Sequence, residues 1–81
     1  MSRREKLYAA IRNNPLSVRF DDACKAAHNL GFSHEAGRGS HRVFKRDGET
    51  VQLNFQNRNG FIPPYQARQL IAMMDNYEGQ T

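Results

Sequence analysis

The stretch Arg42-Val43-Phe44-Lys45-Arg46-Asp47-Gly48-Glu49-Thr50-Val51-Gln52-Leu53-Asn54-Phe55 decides the fold. Arg42 to Lys45 alternates polar and apolar residues around Val43 and Phe44. Asp47-Gly48 is a hairpin signal, and Thr50 to Phe55 answers it with Val51, Leu53 and Phe55 on one face. Alternation with a period of two marks a strand, because successive side chains point to opposite sides of a sheet. The reading is an antiparallel pair joined at Asp47-Gly48.

Working upstream, Gly37 to Ser40 is rich in turn residues, and Phe32 to Ala36 is short enough to be a further strand joined to Arg42–Lys45 through that turn. Before it, Phe20 precedes Asp21, a good N-cap residue, and Cys24, Ala27 and His28 recur at three- and four-residue intervals. Leu30-Gly31 closes a helix expected from about Asp22 to Asn29. From Arg3 to Asn13, Leu7, Tyr8 and Ile11 fall at helical spacing beneath a charged face, and Asn13-Asn14-Pro15 stops that helix. Downstream, Gln56 to Gly60 is a polar loop. Pro63-Pro64 opens a last helix with Ala67, Leu70, Ile71 and Met74 as its buried stripe, ending near Tyr77.

The order helix, helix, three strands, helix predicts an α+β fold: a three-stranded antiparallel sheet with helices on one face and the other face left for a ligand or partner. The 81 residues are expected to form one domain, 1–81, with a helical extension at 3–13 and a core at 21–77. At this size only about 60% of the unfolded surface is buried on folding. Phe44, Phe55, Leu70, Ile71 and Met74 are the expected core, and Cys24 a small buried hydrophobe.

Charge narrows the partners. Twelve Lys and Arg against eight Asp and Glu give a net charge of +4, which suits a polyanion. The basic charge is focused mid-chain, where Arg38, Arg42, Lys45 and Arg46 stand with no acid among them. One cysteine excludes an intramolecular disulfide and a multi-thiolate zinc site, and fits a reducing cytoplasm. No apolar run approaches the roughly 20 residues needed to span a bilayer, and no signal-peptide core follows Met1, so the expectation is a soluble cytoplasmic protein without membrane contact.

Of three histidines, His41 stands out. It follows Gly39 and Ser40, lies among cations and begins a strand. An imidazole titrates near neutrality and can take or deliver a proton during phosphodiester cleavage. RNA brings its own nucleophile, the 2′-hydroxyl, so a metal-independent ribonuclease needs a proton acceptor, stabilisation of the charged phosphorane and a leaving-group donor. His41 with Arg38, Arg42 or Lys45 supplies the first two. On spacing alone a solvated histidine in an ordinary Gly-Ser turn is the better reading; basic residues on a hairpin are usually a solvated face, yet an acid-free cluster beside a candidate catalytic residue makes a better phosphate site than chance placement would. Tyr65 and Arg68, near the start of the last helix, sit where an anion or a stacked base is favoured, although Tyr65 packed against the sheet is as good a reading. His28 and His34 have no ligand spacing, and neither metal nor cofactor is expected.

Leu30-Gly31-Phe32, Gly39-Ser40-His41-Arg42-Val43-Phe44, Asp47-Gly48 and the helix starting Pro64-Tyr65-Gln66-Ala67-Arg68-Gln69-Leu70-Ile71 together resemble the HicA toxin family over about Asp21 to Tyr77. The resemblance implies a fold like a double-stranded-RNA-binding domain and translation-independent mRNA cleavage. It also implies a catalytic glycine-serine-histidine motif centred on His41, and neutralisation by a HicB-type antitoxin encoded alongside. Many family members carry a second histidine after a proline at the end of the last strand, where this chain reads Asn54-Phe55-Gln56. A two-histidine scheme therefore does not transfer, and a protonated cation or water is left as the leaving-group donor.

Three functions fit these residues. The first is an mRNA-cleaving endoribonuclease with His41 as general acid or base, with Gly39 and Ser40 shaping its turn, and with Arg38, Arg42, Lys45, Arg46, Tyr65 and Arg68 on RNA. The second is a non-catalytic RNA-binding module using the same basic face, and the third an interaction protein that pairs through an exposed sheet face or edge.

Overall fold

The computed structural model describes residues 2–79. Its elements are α1 (Arg3–Asn13), α2 (Phe20–Asn29), β1 (Ser33–Ala36), β2 (His41–Lys45), β3 (Leu53–Gln56) and α3 (Pro64–Tyr77). The strands form one antiparallel sheet in the order β1-β2-β3, with β2 central.

Alternation along the sheet makes one face apolar. Phe44 on β2 pairs with Leu53 on β3, and all of Phe44, Leu53 and Phe55 are buried. Phe20, Ala23, Ala26 and Ala27 of α2 and Ala67, Leu70, Met73 and Met74 of α3 join them in one core cluster. The intervening positions His41, Lys45 and Asn54 point to the opposite, open face and are exposed.

Each helix has an identifiable start and stop. The hydroxyl of Ser2 caps α1 by accepting from the Glu5 N–H at 3.1 Å. α2 ends in a Schellman motif: Gly31, at φ +89°, donates to the His28 carbonyl, and Phe32 donates to that of Ala27. Pro64 occupies the first turn of α3, where its missing N–H costs nothing.

Three local expectations are corrected. Asp21 does not cap α2; Arg19 does, without a side-chain bond, and the helix starts at Phe20. The cause is tertiary: the Phe20 N–H donates to the Gly60 carbonyl and the Ile62 N–H to that of Val18, which holds Val18 and Arg19 extended up to the helix. Asp47-Gly48 does make a turn, closed by the Glu49 N–H on the Arg46 carbonyl, but strand pairing stops at Phe44 and Leu53. Val51 is therefore 37% exposed rather than in line with Leu53 and Phe55, because the Glu49 carboxylate takes the Val51 N–H that a ladder would have used. His28 is exposed rather than on the buried side of α2, whose apolar stripe runs through Phe20, Ala23, Ala26 and Ala27.

α1 is part of the core and not merely an extension. Tyr8 and Ile11 are buried, and Arg12 at its last turn is paired with both Asp75 and Glu78 at the end of α3. No helix among the described residues is long and apolar enough to cross a membrane.

Candidate active site

His41 opens β2, and its backbone is held from three directions. Its N–H donates to the Arg38 carbonyl at 3.0 Å, closing a turn in which Gly39 adopts φ +58°. A positive φ at the first central residue alone is the pattern of a type II′ turn, for which glycine is suited. The preceding Ser40 carbonyl accepts the Asn57 N–H at 2.7 Å. Beneath both, Gly37 runs so close that a Cβ there would lie 2.3 Å from the His41 carbonyl oxygen and 2.8 Å from the Arg42 Cα.

The Ser40–Asn57 bond makes the next pair along, His41 and Gln56, a non-hydrogen-bonded pair, the type whose side chains approach most closely. The Gln56 carbonyl Oε1 accepts from Arg58 Nε at 3.2 Å, which draws this guanidinium toward the end of β3 that carries the histidine's partner. Among the described residues the His41 ring has no hydrogen-bond partner and no carboxylate pairs with Arg38 or Arg58; all three side chains are exposed. A free imidazole between two unneutralised guanidinium-bearing turns is an arrangement that can receive a phosphodiester and exchange a proton with it.

Gln66 joins this end of the sheet to α3. Among the described residues it is the one buried polar side chain: its Oε1 accepts the outward-pointing Gln56 N–H at 2.8 Å and its Nε2 donates to the Tyr65 hydroxyl at 3.1 Å. Tyr65, 53% exposed, is thereby set on the rim beside Gln56.

Chain placement divides the remaining candidates. Lys45 shares the open face with His41, about 13 Å along the strand at the usual rise per residue. Arg42 faces the helices: it pairs with Phe55, its guanidinium carbon is 5.3 Å from the centre of the Phe20 ring, and its charge acts on Cys24. Burial pushes the Cys24 thiol up, with Arg42 opposing that shift, so Cys24 behaves as a packed thiol. Arg46 is likewise on the helix side, donating to the Leu30 carbonyl at 2.6 Å and lying 4.0 Å over the Tyr77 ring. Its charge caps the negative end of α2, in space left by Gly31, whose Cβ would strike the guanidinium at 2.2 Å. Arg68 is exposed one turn beyond Tyr65, with no contact linking it to His41.

The chain matches no family model, no curated protein and no solved structure.

What this site can do therefore rests on its residues. Arg58, Gln56 and Gln66 were not singled out from the sequence. Arg58 lay in a polar loop, and the available signal for Gln66 was its place at helical spacing before Leu70 in an apolar stripe. The three histidines lie on α2, β1 and β2, and no group of three or more His, Cys, Asp or Glu gathers among the described residues.

Proposed function

We propose that this chain is a HicA-type endoribonuclease that cleaves mRNA in the cytoplasm without a metal ion, and that a HicB-type antitoxin neutralises it by covering the open sheet face. The single observation that carries the reading is the position of His41: exposed, unpartnered and backbone-locked, opposite a Gln56 that holds Arg58. The order α2-β1-β2-β3-α3, with the helices against one face of the sheet, is compatible with the double-stranded-RNA-binding-domain-like fold that the family resemblance implies.

In this scheme His41 takes the proton of the ribose 2′-hydroxyl. The freed oxygen attacks the adjacent phosphorus, and the P–O bond to the 5′-oxygen breaks, leaving a 2′,3′-cyclic phosphate and a 5′-hydroxyl. Arg38 and Arg58 stabilise the negative charge that builds on the phosphorane. The leaving oxygen is protonated by water or by the imidazolium that His41 has become. Lys45 and Tyr65 hold flanking nucleotides, by charge and by stacking respectively.

The test is RNA cleavage in excess chelator by the wild-type protein and by His41→Ala, after both give the same unfolding midpoint. Cleavage by the first alone supports the proposal. RNA binding by both with cleavage by neither would replace it with the non-catalytic RNA-binding module.

A further inference from the structure

α1 and α2 pack against each other and leave between them an open groove of about 540 Å³, to whose lining His41 does not contribute. Its walls are the stripes that helical spacing presents: Arg3, Arg4 and Lys6 from α1, and Asp22, Lys25 and His28 from α2. Leu7 and Ala10 line it between the charged groups. The four Lys and Arg are exposed and, among the described residues, none makes an ion pair; Asp22 is the one acid facing them.

Two of these cations stand where helix physics disfavours them. The first turn of a helix carries the positive end of the dipole, so Arg3 and Arg4 there are unfavourable and add to a field already positive. The C-terminal end of α2, at His28 and Asn29, also lines the groove and opposes that field, so an anion there is drawn by the unpaired side-chain charges.

We infer that the α1–α2 groove is a second RNA-binding surface, holding backbone phosphates of the strand whose scissile bond lies at His41. The inference rests on the RNA reading of the His41 site, but its observations are independent of that site. Arg3 and Lys6 are about one helical turn apart, so the cations form a row rather than a point, and a row suits a chain of phosphates. Four Lys and Arg outnumber the groups of the groove that could read bases, Asp22, His28 and Asn29, so its main contribution is to affinity through phosphates.

The experiment compares wild type with the triple variant Arg3→Gln, Lys6→Gln, Lys25→Gln, and with a charge-matched control, Thr50→Glu, Gln52→Glu, Ala72→Glu, whose changes are all exposed and outside the groove. Binding of a labelled RNA oligonucleotide is measured across salt concentrations. Removing cations from the first turn of α1 relieves the helix dipole, so the triple variant is expected to fold at least as well. The expected result is a salt slope shallower by about 2 for the triple variant, with affinity lower by about tenfold or more at moderate salt, and a smaller change in the control. Cleavage at saturating RNA stays unchanged. An unaltered slope in a triple variant that still binds RNA overturns the groove and leaves His41 untouched. Failure of the wild type to bind RNA overturns both. Groove-dependent binding without any cleavage supports the groove and removes the nuclease.

Discussion

His41 and Gln56 face each other across β2 and β3 as a non-hydrogen-bonded pair, and Gln56 is tied by its side chain to Arg58 and by its N–H to Gln66. One cross-strand relationship thus connects the proposed catalytic imidazole to a guanidinium on one side and to a helix on the other.

Arg58→Ala is expected to slow single-turnover RNA cleavage by roughly 100-fold, the effect of removing one preorganised charge stabiliser, without moving the unfolding midpoint. Gln56→Ala, which leaves Arg58 present but unheld, is expected to cost less. Equal rates in Arg58→Ala and wild type would remove Arg58 from the chemistry.

Gly37→Ala tests the turn. At φ +130° and with backbone atoms within 3 Å of the new Cβ, the alanine can be accommodated only if β1 and β2 separate. The expected loss is about 1–3 kcal/mol in a denaturant titration, accompanied by weaker cleavage in the fraction that folds. Gly39, at φ +58° but facing open space, should tolerate alanine better.

Gln66→Leu removes the acceptor of the Gln56 N–H. A donor left unsatisfied in a part-buried position costs about 1–3 kcal/mol. Gln66→Glu keeps an acceptor oxygen and should retain more of the stability than leucine does, whereas a simple preference for apolar volume predicts the reverse order in urea midpoints.

The Glu49–Tyr77 contact gives stability a pH dependence. The Tyr77 hydroxyl, followed by the Val51 N–H, holds the Glu49 carboxyl below its ordinary value, and Glu49 in turn pushes the Tyr77 phenol up. A depressed carboxyl contributes fully above its unfolded value, about 4.3, and that contribution is lost as pH falls through the lower folded value. A raised phenol contributes fully below about 10 and loses its contribution as pH rises through the higher folded value. Tyr77→Phe should therefore lower the neutral plateau of a stability profile and flatten both of its limbs, because the contribution it removes is the one present between those two values. A variant profile parallel to wild type at both ends would show that this contact does not couple to folding.

Much of the architecture was legible because local rules write it. The three-residue intervals of α2, the Gly31 stop, Pro64 at a helix start and the alternation around Phe44 all act through atoms a few residues apart, so the α+β order and the central place of β2 followed from the chain itself. The same alternation already separated His41 and Lys45 from Arg42 and Arg46. Reading Arg38 to Arg46 as one cluster overlooked that neighbours on a strand face opposite ways.

The sequence by itself determined the helices, the antiparallel sheet and an exposed Gly39-Ser40-His41 turn. Only the tertiary structure decided that Arg46 caps α2 through the Leu30 carbonyl, that Gln66 reaches the Gln56 N–H, that Glu49 is drawn to Tyr77 instead of extending β3, and that α1 closes a basic groove with α2. The physical reason is distance along the chain. Glu49 and Tyr77 are 28 residues apart and Arg12 and Asp75 are 63 apart, so no local spacing encodes their meeting. Such pairs form only after the apolar faces of the sheet and helices have been brought together by burial, and the polar groups then take the partners within reach.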